Sequence, residues 1–437
     1  MRRYLCFPLT LFLLLCGCVG AEGLMQAPRP ATQYMDLQEQ LDALLAAGYV
    51  YSAPTSGDHR QAVLMADLTG DGTEVAVVFL RGETDNLLAV FLPSEGEFTA
   101  LPPVAENVES VHSVVFSDLD GDGRQEIIVG WQVSGLRTIS VYAVGSGGLT
   151  EIFTRRFSAY TVYDIEGTGV PSLLLIQVDS AEQVVEMVST RDGDLGITGT
   201  AYLSRGAEAV LRIRTSPLLD GPPGLLVTSQ YQTSSEVTDV LTFRDGGLVN
   251  ISANLETGNS DASVRQREIY ATDVNGDGVY DLPRMVELPR HPGEDETSDP
   301  FYEIRWSSYY SSGLLEETAR TYYSFANNWY ILLPEQWPEL YAVRRSQTSA
   351  QTVTQAVNTF SILTEEGPID FLRIYHISYP AGSRPSAGNR TVLVEQDSLV
   401  MMAEAMPLEG DLSRFNVSEK ELADGLFRLI PPDWRGF

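Results

Sequence analysis

The sequence predicts a mainly β protein: a β-propeller followed by a small α+β domain at the C-terminus. The first observation is a short loop that occurs five times, starting at residues 67, 118, 164, 216 and 273. The second is that each copy leads into a run of apolar residues, the pattern of a buried strand. The third is the spacing, because a repeat near 50 residues that holds several short strands is typical of a propeller blade.

The clearest copy of the loop is Asp118–Glu126. It has aspartates at its first, third and fifth positions, glycines between them, and an acid at the ninth position. Oxygen atoms at such alternating positions can surround a hard cation such as calcium. The glycines allow a backbone turn tight enough for the carboxylates to converge. Three carboxylates in one turn repel one another unless a cation lies among them, so the pattern predicts a metal site.

The other four copies keep this pattern to different degrees. Asp273–Asp281 is complete, whereas Asp67–Glu74 has Val75 at the ninth position and its acid one place early. Asp164–Gly169 and Ser216–Gly221 have lost most acidic positions, and we interpret them as turns without an ion.

Four strands can be assigned around the second loop, and together they form one predicted blade. They are Val111–Ser117, Glu126–Gln132, Leu136–Ala143 and Leu149–Phe157. Five such blades are visible between residues 58 and 325. The number of blades stays open at five, six or seven, and a sixth would combine Tyr49–Ala53 with Arg320–Leu333.

The predicted blades lie between two segments of different character. A helix is predicted over residues 33–47 from the spacing of its leucines. Residues 326–437 are predicted to form the α+β domain, which ends in a helix. A capping box of Ser418 and Glu421 begins this helix. Its apolar face comprises Leu422, Leu426, Phe427 and Ile430.

The first residues read as an export signal. Arg2 and Arg3 precede an apolar run that is too short to span a bilayer comfortably. The run ends in Leu15-Cys16-Gly17-Cys18, which resembles a bacterial lipobox and implies that Cys18 carries a lipid. The alternative is cleavage near Ala21, which would release a soluble exported protein. The predicted segments are a signal peptide over 1–18, a tether and helix over 19–57, the propeller over 58–325 and the C-terminal domain over 326–437.

Composition restricts the function. The formal net charge of -30 argues against nucleic acid and against adhesion to anionic lipid headgroups. None of the four histidines has metal-ligand spacing to another, and the chain contains no Gly-x-Ser-x-Gly nucleophile motif. We therefore expect that the protein is not an enzyme. An aromatic-rich segment over residues 302–330 reads either as core or as a surface for sugar or peptide.

The loops Asp118–Glu126 and Asp273–Asp281 closely resemble the FG-GAP/VCBS repeats of integrin α-subunit propellers. The resemblance covers residues from about 58 to 315. In that family the loop joins the first two strands of a blade and often binds calcium. The ligands implied here are Asp118, Asp120, Asp122, Glu126 and the Arg124 carbonyl; Asp273, Asn275, Asp277, Asp281 and the Val279 carbonyl; and, in the first loop, Asp67, Thr69 and Asp71. The segment from Leu333-Pro334-Glu335-Gln336-Trp337 onward is similar to C-terminal parts of uncharacterised Firmicutes lipoproteins, which implies no activity.

Two functions are consistent with these features. The first is a lipid-anchored, calcium-binding propeller on the outer face of the membrane that binds a protein or glycan partner or serves as a scaffold. The alternative is a polysaccharide-active hydrolase or lyase with carboxylates at the centre of the propeller, because paired acids can cleave glycosidic bonds.

Overall fold

The computed structural model describes residues 32–94, 96–232, 234–266, 269–294, 299–350 and 352–431. The chain falls into two compact units, one ending at Arg156 and the other beginning at Phe157. Antiparallel sheets make up most of both units, which confirms the mainly β prediction. The predicted signal peptide, Cys18 and the tether up to residue 31 lie outside the described residues. Within the described ranges, none of the helices combines the length and apolarity needed to cross a bilayer.

The first unit opens with helix α1, Thr32–Ala46, close to the predicted 33–47. Leu37 and Leu41 are its buried residues, and they pack on one face of the first sheet against Ala76, Val78 and Phe91. That sheet consists of β1 (Val50–Tyr51), β2 (Val63–Ala66), β3 (Val75–Arg81), β4 (Asn86–Ser94), β5 (Glu97–Ala100) and β6 (Val104–Glu106).

The second sheet of this unit matches the predicted blade around the second loop. Its strands are β7 (Ser110–Ser117), β8 (Glu126–Val133), β9 (Leu136–Gly145) and β10 (Gly148–Arg156), paired in sequence order. The other face of the first sheet shares a core with it. In that core the rings of Phe79 and Trp131 meet edge to face with their centroids 6.3 Å apart.

The second unit begins with two four-stranded sheets, each with neighbouring strands in sequence order. The first comprises β11 (Ala159–Tyr163), β12 (Ser172–Gln177), β13 (Val184–Arg191) and β14 (Asp194–Tyr202). The next comprises β15 (Ala207–Pro217), β16 (Pro223–Tyr231), β17 (Ser235–Arg244) and β18 (Gly247–Asn250). Leu174 and Ile176 of one sheet and Leu225 and Val227 of the other belong to one buried cluster. A turn of 3-10 helix over Asp261–Ser263 follows.

Two five-stranded sheets complete the chain. The fifth sheet orders β19 (Leu282–Glu287), β20 (Tyr302–Tyr309), β21 (Leu315–Ser324) and β22 (Trp329–Leu332) beside β28 (Phe427–Leu429). The sixth orders β23 (Tyr341–Ala350), β24 (Val353–Thr364), β25 (Gly367–Ser378), β27 (Leu399–Ala405) and β26 (Thr391–Gln396). Tyr322 and Trp329 of the fifth sheet and Phe360 and Leu372 of the sixth lie in one buried cluster.

The boundary expected at 325/326 falls between two paired strands. Ser324 pairs with Trp329, so the segment that follows this point is the fourth strand of the fifth sheet. The two segments considered for a sixth blade do not pair with each other. Val50 and Tyr51 pair with β3 in the first sheet, while Arg320–Leu333 belongs to the fifth.

The C-terminal helix is shorter than expected. Ser418 and Glu421 do form the predicted capping box, and a helical turn α2 follows over Glu419–Glu421. A wider helical turn over Leu422–Leu426 continues α2. A 3-10 helix over Gly410–Phe415 comes before α2 in the chain. Gly425 has a φ of 156°, which ends the helix. Phe427–Leu429 then pairs with β22, so the expected helical face at Phe427 and Ile430 is wrong.

Candidate metal centre

The loop Asp118–Glu126 is the hairpin connection between β7 and β8. Ser117 pairs with Glu126, so the two paired strands hold the two ends of the loop together. Asp118 arranges the loop between them. One of its carboxylate oxygens accepts the Gly121 N–H at 2.6 Å, and the other accepts the Gly123 N–H at 2.9 Å. Both glycines have positive φ, at 78° and 87°, which this turn requires.

Three acidic side chains of this loop converge. Asp118, Asp120 and Glu126 each offer an oxygen, and the three oxygens lie within 4.8 Å of one another. Glu126 is only 5% exposed and forms the floor of the group, whereas Asp120 is exposed at its rim. The Leu119 N–H donates to Glu126 Oε2 at 2.8 Å and fixes this carboxylate. Such a set of hard oxygens, open to water on one side, suits calcium.

The electrostatics of the group favour a cation. The pKa of Glu126 is raised to about 7, chiefly by burial and also by the negative charges of Asp120, Asp118 and Asp122, against the opposing effect of the Leu119 N–H. A divalent cation among these oxygens reverses this effect, because it stabilises the ionised carboxylate.

Asp122 stands apart from this group. Its Oδ1 accepts the Arg124 N–H at 2.8 Å, and its own N–H donates to Asp120 Oδ1 at 3.0 Å. The structure therefore brings together three of the four side chains expected as ligands. The roles of Asp122 and of the Arg124 carbonyl as ligands remain predictions.

The loop Asp273–Asp281 follows the same plan with a different interior. Asp273 accepts the Gly276 N–H at 2.6 Å and the Gly278 N–H at 3.0 Å. Asp281 is fully buried, and the Val274 N–H donates to it at 3.1 Å, as Leu119 does to Glu126.

The second carboxylate oxygen of Asp281, which does not accept the Val274 N–H, is also hydrogen-bonded within the protein. The hydroxyls of Ser308 and Thr318 donate to Asp281 Oδ1 at 2.7 and 2.5 Å. Burial raises the pKa of Asp281, and these hydrogen bonds act against that rise. Asn275 donates to Asp277 at 2.8 Å. Within the described ranges, Asp118, Asp120 and Glu126 form the one converging acidic trio, so calcium on Asp273, Asn275, Asp277, Asp281 and the Val279 carbonyl remains a prediction.

In the first loop, Asp67–Glu74, the side chains of Asp67, Thr69 and Asp71 form hydrogen bonds within the loop itself. Asp67 accepts the Gly70 and Gly72 N–H groups, each at 2.8 Å. The Thr69 hydroxyl donates to Asp71 at 2.9 Å, and hydrogen bonds from Thr73 and Thr69 lower the pKa of Asp71. The ninth position, Val75, is buried in β3, so this loop has no acid equivalent to Glu126.

The third loop, Asp164–Gly169, keeps the backbone hydrogen bonds of the complete loops although it has lost most of their acidic positions. Asp164 accepts the Thr168 N–H at 3.0 Å and the Gly169 N–H at 2.6 Å. The first aspartate thus accepts backbone N–H groups in four loops. In the fourth loop, Asp220 instead accepts the N–H and hydroxyl of Ser311.

An apolar residue at the second loop position was missed in the sequence. Leu68, Leu119, Ile165 and Val274 occupy it, and each is at most 1% exposed. Burial of this side chain attaches each loop to the protein interior and so limits the movement of the loop backbone that carries the carboxylates. The signal in the sequence is the apolar residue that follows the first aspartate of these four loops.

The aromatic-rich segment is mostly core. Trp306, Tyr322, Tyr323, Trp329 and Tyr330 are at most 3% exposed. Tyr323 and Tyr330 stack with centroids 5.4 Å apart, and Tyr322 meets Trp329 at 5.6 Å. The core interpretation of these five residues is therefore correct.

Comparisons with known proteins give only distant likenesses. No family model matches the chain, and no curated protein matches it. A rhamnogalacturonan lyase of Bacillus licheniformis has a TM-score of 0.31 at 11% identity, covering 85% of this chain and 92% of its own. The exotype rhamnogalacturonan lyase YesX has 0.30 at 13%, covering 74% and 80%. A protein from Lactobacillus plantarum has 0.28 at 10%, covering 73% and 92%. At these scores the likenesses carry no argument about function.

Proposed function

We propose that this chain is an exported, calcium-binding β-propeller of the FG-GAP/VCBS type that binds a protein or glycan partner outside the membrane. Cys18 is the proposed lipid anchor, and the acidic loops are the proposed calcium sites. The observation that carries the proposal is the convergence of Asp118, Asp120 and Glu126 within 4.8 Å, with Glu126 held by Leu119.

The arrangement supports a structural role for the cation. The three oxygens meet only when β7 and β8 are paired, because that pairing brings the two ends of the loop together. A cation that binds only the formed loop shifts the folding equilibrium toward the native state. Calcium would therefore stiffen the edge of the second sheet and leave its loops rigid enough to meet a partner.

Calorimetric titration of the full-length protein with calcium tests the metal site. Asp120→Asn keeps the shape of the side chain but removes the charge at the rim, and we expect calcium affinity to fall about tenfold or more. Glu151→Gln is the matched control, since it removes one exposed carboxylate from β10 of the same sheet. If the parent protein, Asp120→Asn and Glu151→Gln bound calcium with equal affinity, the loop Asp118–Glu126 would not be a calcium site.

The partner is tested separately. The full-length protein is screened against cell-wall and plant glycans, with rhamnogalacturonan among them, and both retention and product release are measured. Retention without product supports a binding module. Release of product that disappears when one acid is changed would replace the binding module with the alternative, a polysaccharide-active hydrolase or lyase with carboxylates at the propeller centre.

A further inference from the structure

A cavity of about 380 Å³ lies in the second unit, where residues of the fifth and sixth sheets meet. Tyr302 and Tyr322 contribute from the fifth sheet, and Phe325 follows β21. Arg345 of β23 and Asn358 of β24 contribute from the sixth. Pockets for small organic ligands have this scale of volume and this mixture of aromatic walls with a few polar groups.

Arg345 and Asn358 are directly opposite each other in the β23–β24 register. Opposed residues of an antiparallel pair project from the same face, so both side chains reach the cavity together. Asn358 is only 3% exposed. Its amide nitrogen donates to the Ser324 hydroxyl at 3.4 Å, which turns its carbonyl oxygen away from that hydroxyl.

Both side chains present an unused polar atom. The Nε of Arg345 and the Oδ1 of Asn358 are buried, and neither has a hydrogen-bond partner among the described residues. Buried polar atoms without partners are costly and uncommon, so each needs a reason. Here one is a donor, the other is an acceptor, and both belong to residues that line the same cavity.

Among the described residues, the cavity wall carries Arg345 as its cation and the exposed Asp299 as its acid. Arg344, the neighbour of Arg345, lies 3.7 Å from Asp370, whereas Arg345 forms no ion pair with any acid in the described ranges. A planar guanidinium is suited to carboxylate recognition, since its N–H groups match the two oxygens. The cavity therefore offers a cation, a hydroxyl acceptor and an aromatic wall in one place.

We propose that this cavity binds a small hydroxylated carboxylate, that is, a monosaccharide acid. Its carboxylate pairs with Arg345, a hydroxyl donates to Asn358 Oδ1, and the apolar face of the ring lies against Tyr302 and Phe325. The site is separate from the acidic loops and requires no calcium.

The test uses the full-length protein in a chelator, so that calcium binding contributes nothing. D-galacturonate and D-glucuronate are titrated at millimolar concentration by ligand-observed NMR and calorimetry, with D-galactose and benzoate as probes that lack the carboxylate or the hydroxyls. We expect at least one sugar acid to bind about tenfold or more tightly than either control probe, because charge-assisted hydrogen bonds are stronger than neutral ones.

Three variants locate the binding. Arg345→Gln removes the cation, and we expect sugar-acid binding to disappear. Asn358→Asp places a carboxylate beside the guanidinium, and we expect it to block binding while raising the melting temperature. Arg344→Gln removes the same charge one residue away on the other face of β23, and we expect binding to persist.

Two results would overturn the proposal. One is that neither sugar acid binds. The other is that Arg345→Gln binds like the parent protein, in which case water alone satisfies the two buried atoms. Either outcome is independent of the calcium titration, so failure here leaves the proposed metal site standing.

Discussion

The backbone of Gly70 lies so close to the carbonyl oxygen of Gly123 that a Cβ on Gly70 would be 2.2 Å from it. Beside this contact, the Gln125 N–H donates to the Leu68 carbonyl at 3.0 Å. The first and second acidic loops of the first unit are therefore braced against each other through their backbones. The brace places the loop without a ninth acid beside the loop that has the converging trio.

The first prediction concerns this brace. Gly70→Ala introduces a methyl group into the contact and forces alanine to adopt a φ of 71°. We expect the free energy of unfolding to fall by about 2–4 kcal/mol, the sum of a backbone clash and the left-handed conformation. Denaturant unfolding measures this loss.

Gly72→Ala is the matched control for the clash. Gly72 also has a positive φ, of 84°, but, apart from its chain neighbours, no described residue lies within 4 Å of an added Cβ. We expect this variant to lose only the conformational part, about 1–2 kcal/mol. Equal losses in the two variants would show that the contact between the loops is unimportant.

The second prediction separates the structural and ligand roles of the aspartates. Asp118 accepts two backbone N–H groups, whereas Asp120 accepts one, which an asparagine oxygen can also accept. In chelator we expect Asp118→Ala to lower the free energy of unfolding by about 1–2 kcal/mol and Asp120→Asn to change it little.

In excess calcium both variants should lose the stabilisation that calcium gives the parent protein. Thermal unfolding with and without calcium measures both effects. If Asp120→Asn kept the full calcium stabilisation, Asp120 would not be a ligand.

The third prediction concerns pH and a buried acid of the fourth sheet. Asp239 is fully buried, and the hydroxyls of Ser204 and Ser260 donate to it at 2.8 and 2.6 Å, with Asn250 Nδ2 at 2.9 Å. Burial raises the pKa of Asp239 despite these donors. A carboxyl group whose pKa is raised by folding contributes stability below its ordinary pKa, and that stability is lost as the pH rises through the raised value.

Asp239→Asn removes this titration and keeps one acceptor oxygen. We expect its melting temperature, relative to that of the parent protein, to rise as the pH increases from about 4 toward neutrality. Asp194→Asn, an exposed position on β14 in the same unit, is the charge-matched control. A constant difference across that range would contradict the account of Asp239.

Much of the fold could be predicted from short stretches of sequence, because many of its contacts join residues that are close together in the chain. The hairpin from Ser117 to Glu126 and the strands that flank it follow from alternating apolar residues and from the turn chemistry of Asp and Gly. The capping box of Ser418 and Glu421 was equally visible, since its two partners are three residues apart.

Contacts between distant residues could not be predicted in this way. The strand Phe427–Leu429 pairs with the strand Trp329–Leu332, which lies about a hundred residues earlier in the chain. No residue pattern in either strand indicates which strand it pairs with. The same applies to Arg345 and Asn358, which meet only because β23 and β24 have one particular register. Within the loop, spacing predicted four ligand side chains; three of them converge, and the role of Asp122, whose Oδ1 accepts the Arg124 N–H, stays a prediction.

The central claim is that Asp118, Asp120 and Glu126 hold a calcium ion. The most direct measurement is a crystal structure of the full-length protein grown in calcium, with anomalous data collected to locate the metal. We predict an anomalous peak bonded to one oxygen of each of the three side chains. Clear density for this loop with no anomalous peak among the three carboxylates would contradict it.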